Sequence, residues 1–245
     1  MSFACSVAFR IERHDTLPST NDRAIAAAEA GEPPGLVVLA SRQTEGRGRA
    51  GRPWVSLPGN LACSVLLPPL PALRSGAGAL LAGLAAHAAL APLVPKPHAL
   101  RLKWPNDLMV GEAKLGGILV EAGTTALGEP WLVAGIGANL AGAPEVGRPA
   151  TSIAALGGQA DPGTVADHLV AAFARALEAF AGSGMAWLIE AWSERALAKG
   201  TPMSVKSARG DLCGRYAGLD RDGALLLATR EGVRRILAGE VFAEA

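Results

Sequence analysis

Three arginines alternate with three glycines between Gln43 and Trp54: Arg47, Arg49 and Arg52 among Gly46, Gly48 and Gly51. Guanidinium forks form charge-assisted bonds to phosphate or carboxylate oxygens, and glycine lets backbone N–H groups approach the same anion. The stretch has the chemistry of an anion-binding loop. The same composition also describes a disordered nucleic-acid-binding segment, and these residues alone do not separate the two. A second cluster runs from Lys103 to Glu121. Pro105 restrains its neighbours toward extended or turn backbone, so Asn106 and Asp107 can leave the end of a strand side by side. Lys114 then precedes Gly116 and Gly117, a pair that lets a lysine reach a pocket with no bulky neighbour in its way.

These groups need a scaffold, and the apolar runs supply one. Leu36 to Ala40 reads as a strand feeding the arginine loop, and Asn60 to Leu67 as a strand ended by Pro68, Pro69 and Pro71. Leu100 to Trp104, Leu115 to Ala122 and Trp131 to Gly137 complete a central sheet, and Met1 to Asp15 reads as containing its first strand. Ser19, Thr20, Asn21 and Asp22 form an N-cap for a helix over Arg23 to Ala30 that stops at Gly31. Further helices are expected over Ala77 to Val94, Thr164 to Ala181 and Met185 to Leu197, the last two amphipathic, with Trp187 and Trp192 in the core. Beyond Lys199 and Gly200 the character changes. Short segments at Met203 to Ala208, Arg215 to Leu219, Ala224 to Ala228, Val233 to Leu237 and Glu240 to Phe242 suggest a small barrel, with Asp222-Gly223 as a hairpin turn. Asp220 to Gly223 reads as that turn and not as a calcium loop, because the rest of an EF-hand is missing.

Composition removes several classes. With 245 residues and 50% hydrophobic content the chain can bury a large core, and a net charge of +1 argues against a protein that mainly neutralises polyanions. Cys5, Cys63 and Cys213 lack paired spacing, so no disulfide framework or zinc ribbon is expected and a reducing cytoplasm is the expected compartment. The amino terminus lacks the basic n-region of a signal peptide. Ala77 to Val94 has the length of a minimal membrane span, but its alanine content, His87 and Pro92 favour a buried helix. His14, His87, His98 and His168 are scattered, no GxSxG or HExxH occurs, and GIGANL at Gly135 to Leu140 lacks the third glycine of a dinucleotide fingerprint.

The ordered set GRGRAGRPW, KWPND, KLGGILVE and GIGANL resembles the biotin protein ligases, from about residue 8 to the end. The resemblance implies an α+β fold of the class II synthetase-like, biotin–lipoate ligase type. Its mixed, largely antiparallel sheet packed by helices would span residues 1–198, and an SH3-like barrel residues 199–245. It implies ATP-dependent conversion of biotin to biotinyl-5'-AMP, with Mg2+ sharing the phosphate charge, and transfer to a lysine of a biotin carboxyl carrier protein of acetyl-CoA carboxylase or a related enzyme. Ser19, Thr20, Asn21 and Gln43 would meet the biotin head group. Arg47, Arg49, the loop glycines Gly46 and Gly48, and Arg52 would meet carboxylate and phosphates, and Lys114, Gly116 and Gly117 the reacting centre. Asn106 would hold phosphate oxygens or a magnesium-bound water, Asn139 of GIGANL belongs to the same set, and Trp54 either packs on adenine or serves the core. Asp107 either handles the proton of the incoming lysine or caps its own turn. The glycine loop is expected to fold over bound biotin and keep water from the anhydride.

Ala50 stands where relatives commonly carry another arginine. The chain starts directly at the catalytic domain, which implies a monofunctional ligase without operator binding. No membrane partner is expected, and pairing into a homodimer through sheet edges is left open. A lipoate or octanoate ligase shares the fold and chemistry, and a nucleic-acid module is the rival from another class.

Overall fold

In a computed structural model the chain is described over residues 7–145, 147–207, 210–237 and 239–243. Cys5, Ala208 and the start of the expected first strand lie outside these residues. A seven-stranded sheet is built from β1 (Arg10–Leu17), β2 (Leu36–Gln43), β3 (Leu61–Leu67), β4 (Leu100–Lys103), β5 (Asp107–Val110), β6 (Ala113–Thr124) and β7 (Pro130–Ala138). Its order is β1-β2-β3-β7-β6-β5-β4, with β1 parallel to β2 and every other pair antiparallel. The expected mixed, largely antiparallel sheet is therefore present. β5 was not expected as a strand; it forms because the Trp104 to Asn106 turn folds Asp107–Val110 back onto Leu100–Lys103.

Alternation divides the sheet's residues between two faces. Leu36, Val38, Leu66 and Val133 meet α1 (Thr20–Glu29) through Ala24, Ala27 and Ala28. Ser19 caps this helix by accepting from Asp22 N–H at 3.3 Å. Such a cap contributes about 1 kcal/mol. The opposite face carries Val37, Leu39, Cys63, Val65, Ala134 and Ile136 against α2 (Gly78–Leu90) and α3 (Pro162–Arg195). Both Leu73–Leu93 and Pro162–Arg195 have the length and apolar content of membrane spans, but they pack on each other and on the sheet. α3 joins the two helices expected from sequence. Gly184, at φ 64 and ψ −150, breaks the helical path between them.

The last strands, β8 (Pro202–Ser207), β9 (Gly210–Leu219), β10 (Leu225–Thr229), β11 (Gly232–Ile236) and β12 (Glu240–Ala243), form an antiparallel sheet of order β11-β10-β9-β8-β12. The expected hairpin is there, with Leu219 opposite Leu225 across the Asp220–Ala224 turn. The expected SH3-like unit is present as this five-stranded sheet, without closure among the described residues. Among the described residues β11 and β12 lie on opposite edges and do not pair, because the chain after Ile236 crosses to add β12 alongside β8. This sheet is fixed to the first by Trp104 Nε1, which donates to the Gly223 carbonyl at 3.0 Å, and by Lys103 Nζ, which donates to Val241 at 3.0 Å.

Candidate functional site

One row of cross-strand neighbours runs over five strands. Ala62 on β3 faces Gly137 on β7, Gly137 faces Gly117 on β6, Gly117 faces Asp107 on β5, and Asp107 faces Lys103 on β4. The row begins with small residues, which leave a trench, and ends in a carboxylate and an ammonium. The next row, Ser64–Gly135–Leu119, lies under Asn21, so the trench starts at α1 and ends at the Asp107–Lys103 pair. It is the floor of a cavity of about 510 Å³.

Glycine is required on this floor. A methyl group on Gly135 would stand 2.2 Å from Asn21 Oδ1, and one on Gly137 2.4 Å from Cε2 of Trp54. One on Gly117 would stand 3.0 Å from Lys114 Nζ. Lys114 reaches the floor because pairing of β5 with β6 slips at Leu108 and Met109, placing Leu108 opposite Gly116 but Met109 opposite Lys114. That bulge offsets the alternation by one residue, so Lys114 and Gly117 share a face.

At the α1 end the polar groups saturate one another. Gln43 Oε1 accepts from Thr20 N–H at 2.7 Å and from its hydroxyl at 2.9 Å. Ser64 Oγ lies 2.7 Å from Thr20 Oγ1 and 2.5 Å from Asn21 Oδ1, and Asn21 Nδ2 donates to Glu121 at 2.7 Å. Ser19, Thr20, Asn21 and Ser64 are buried, so this network, tied behind to the Glu121 carboxylate, presents a cavity surface of uncharged donors and acceptors fixed before any ligand arrives.

The other end is cationic. Asp107 accepts from Lys103 at 3.0 Å and from Lys114, and all three side chains are nearly enclosed. Burial alone would raise the Asp107 pKa, but the two ammoniums outweigh it and hold the carboxyl below its usual range. Burial is the main cause that lowers the Lys114 pKa, opposed by Asp107 and reinforced by Arg148 and Lys103. Arg49 crosses from the loop, donating to Asn106 Oδ1 at 3.2 Å and to the Gly239 carbonyl at 3.4 Å. The Asn106 amide in turn donates to Ile118 at 2.8 Å, so its side chain ties loop to sheet.

The arginine loop itself is a compact hairpin. Arg47 bridges Pro53, Trp54 N–H donates to Gly46 at 2.8 Å, and Gly48 N–H donates to Arg52 at 2.7 Å. Ala50 at the tip has a left-handed φ of 54. Arg47 turns back from the cavity centre to Asp22, with contacts of 2.7 and 2.5 Å, and to Glu121 at 3.3 Å. Its hydrogen bonds to Asp22 are the main reason its pKa is raised.

Of the expected residues, Ser19, Thr20, Asn21, Gln43, Arg47, Gly48, Arg49, Arg52, Trp54, Asn106, Asp107, Lys114 and Gly117 all line this cavity. Gly46, Gly116 and Asn139 do not. A methyl on Gly46 would meet the Trp54 carbonyl at 2.6 Å, and one on Gly116 the Gly137 carbonyl at 2.7 Å, so both glycines serve close packing of the backbone. Asn139 donates to the Thr151 carbonyl at 3.0 Å and holds the following loop. Sequence reasoning missed Lys103, Ser64 and Glu121. Ser64, a polar residue in the apolar run LACSVLL, was a legible signal; Lys103 was hidden in a strand end.

The pattern of the Biotin/lipoate A/B protein ligase family matches residues 15–130, and that of the Biotin protein ligase C terminal domain matches residues 204–243. A biotin–[acetyl-CoA-carboxylase] ligase of Paracoccus denitrificans is 37% identical over 91% of this chain and 96% of its own length. A bifunctional ligase/repressor of Bacillus subtilis is 31% identical over 93% of this chain and 72% of its own. Among solved structures, the biotin protein ligase from Aquifex aeolicus in complex with biotin and ATP superposes with a TM-score of 0.82 at 28% identity, covering 96% of this chain and 99% of that one.

Proposed function

The chain belongs to the biotin protein ligase family, and on that premise we propose how its own residues divide the work of activating biotin and passing it to a carrier lysine. The observation that carries the reading is the trench of small residues running from an uncharged polar network to a cluster of cations. A ligand with a neutral, hydrogen-bonding head and a carboxylate tail fits that polarity.

In the first step a carboxylate oxygen of biotin attacks the α-phosphorus of ATP and the bond to pyrophosphate breaks. Thr20, Asn21 and Gln43 hold the head group at the α1 end. Lys114 stands where the carboxylate meets the α-phosphate, and its positive charge offsets the repulsion between the two anions. Arg49 and Arg52 serve the polyphosphate. Donors fixed before reaction stabilise developing charge without a reorganisation cost, and this is where the rate enhancement comes from. Magnesium would arrive with the ATP substrate and share its phosphate charge; among the described residues no group of three His, Cys, Asp or Glu side chains could hold the ion by itself.

In the second step the neutral amine of the carrier lysine attacks the carbonyl of the mixed anhydride, and AMP leaves. Asp107, anionic at neutral pH, attracts and orients the incoming ammonium and relays its proton onward to water, because the two ammoniums that hold its pKa low keep it from retaining that proton. It also keeps Lys114 in place. Residues 1–198 act as the catalytic unit, and Lys206, Gly239, Val241 and Phe242 of the C-terminal unit, residues 199–245, supply the cavity's far wall.

A test is direct. Incubated with this protein, biotin, ATP and magnesium, a biotin carrier domain should gain one biotinyl group on a single lysine by mass spectrometry. An unmodified carrier, with the enzyme folded, would refute the assignment.

A further inference from the structure

The Trp54 ring lies where the proposed ligand has to lie. Asn21 stands over Gly135 at the polar end of the trench, and Lys114 over Gly117 at the anionic end. Gly137 lies between them in the floor, paired with Gly117 and one row on from Gly135. Any molecule that touches both ends passes over Gly137. That position is filled by the Trp54 indole: a methyl on Gly137 would stand 2.4 Å from Cε2, 2.6 Å from Cζ2 and 2.7 Å from Nε1, and one on Gly117 3.7 Å from Cζ3. Lys114 Nζ is 6.0 Å from the ring centroid, within the range of a cation–π contact.

The fit is imperfect in one respect. Trp54 Nε1 is buried and finds no hydrogen-bond partner among the described residues. An indole usually finds a partner for this group when enclosed, and leaving it unpaired carries a desolvation cost. The ring thus fills the trench's shape without using its hydrogen-bonding capacity, so an occupant that does use it can displace the ring. Trp54 also ends the arginine hairpin, its N–H bonded to Gly46, so the ring on the floor is carried by the same loop as Arg49 and Arg52.

We infer that Trp54 is a plug in the biotin slot of the free enzyme, so that biotin enters only after the indole has left. The inference rests on the biotin reading above. Binding then competes with an internal occupant, and the apparent affinity is reduced by the fraction of molecules whose slot is open.

Rapid mixing tests this. With increasing biotin and no ATP, the observed association rate of the wild-type enzyme should level off at the rate at which Trp54 leaves, and tryptophan emission should shift to the red as the ring becomes hydrated. In Trp54→Ala, association of radiolabelled biotin should lose the plateau and rise at least about fivefold, with Trp54→Phe in between if the alanine variant folds poorly. Equal association rates in wild type and variant, both linear in biotin, would overturn the plug and leave the ligase reading intact. Folded proteins that bind no biotin at all would overturn both.

Discussion

Asp107 and Lys103 face each other across the β4–β5 hairpin, with Lys103 Nζ 3.0 Å from Asp107 Oδ2. The same ammonium donates to Val241 in the second sheet, so one lysine links the floor of the cavity to its far wall. Both Lys103 and Asp107 are nearly enclosed, and their pairing therefore counts for more than a surface ion pair. Lys103→Met should lower unfolding free energy by about 1–3 kcal/mol in a urea titration, since Asp107 keeps Lys114 but the Val241 carbonyl loses its donor. A variant as stable as wild type would show that the link carries no load.

The pH dependence of that pair has a definite sign. The Asp107 pKa is depressed in the folded chain relative to its ordinary 3.8. Its contribution is therefore fully present above that ordinary value and is lost as pH falls through the lower, folded one. The stability difference between wild type and Asp107→Asn should be flat from about pH 5 to pH 8 and shrink only in the acid range below. A difference that shrinks on going from pH 8 to pH 5 would mean that the folded carboxyl titrates near neutrality.

The role proposed for Asp107 predicts different losses in the two half-reactions. Were it only a proton acceptor, Asp107→Ala would slow transfer from preformed biotinyl-AMP and spare adenylation. Because it also positions Lys114, both steps should fall, transfer the more, with adenylation down by about tenfold to a hundredfold. Single-turnover assays of each step measure this, and equal losses would remove the proton-handling role.

Gly135→Ala tests the polar end. The added methyl would overlap Asn21, whose amide is held by Ser64 and Glu121 and cannot retreat without breaking those bonds. The KM for biotin should rise by about tenfold or more, the factor that about 1.4 kcal/mol represents, while the KM for ATP changes little. A parallel rise in both would place Asn21 outside the biotin end.

Cysteine chemistry offers a check on the fold. Cys63 is fully enclosed on β3 and burial pushes its thiol up to about 12, whereas Cys213 is exposed on β9. Mild alkylation near neutral pH should modify Cys213 and leave Cys63 untouched in the native protein, as read by peptide mass mapping. Rapid labelling of Cys63 would contradict the packing of β3 under α2 and α3.

Much of this arrangement was legible because it rests on local signals. Local patterns gave six of the seven strands of the first sheet, and the Ser19 to Asp22 cap signal gave α1, although the helix starts at Thr20 and not at the expected Arg23. The arginine loop and the Lys114 block were visible as residue types that hold anions. What escaped depends on register. Nothing in KWPNDLMVGEAKLGG reveals that Asp107 will lie opposite both Lys103 and Gly117, or that a bulge after Leu108 turns Lys114 onto the trench. Nor does a glycine's chemistry say whether it faces a cavity, as Gly117 does, or a neighbouring strand, as Gly116 does. The last sheet agrees with the expected SH3-like unit: strand spacing gave its five strands, but not that β12 would lie beside β8.

The most direct test of the central claim is biotin-dependent exchange of labelled pyrophosphate into ATP, run beside octanoate and lipoate and with Lys114→Ala as control. Exchange with biotin alone, falling by about a hundredfold or more in the variant, is the predicted result. Exchange driven by octanoate or lipoate, or by biotin at an undiminished rate without Lys114, would contradict it.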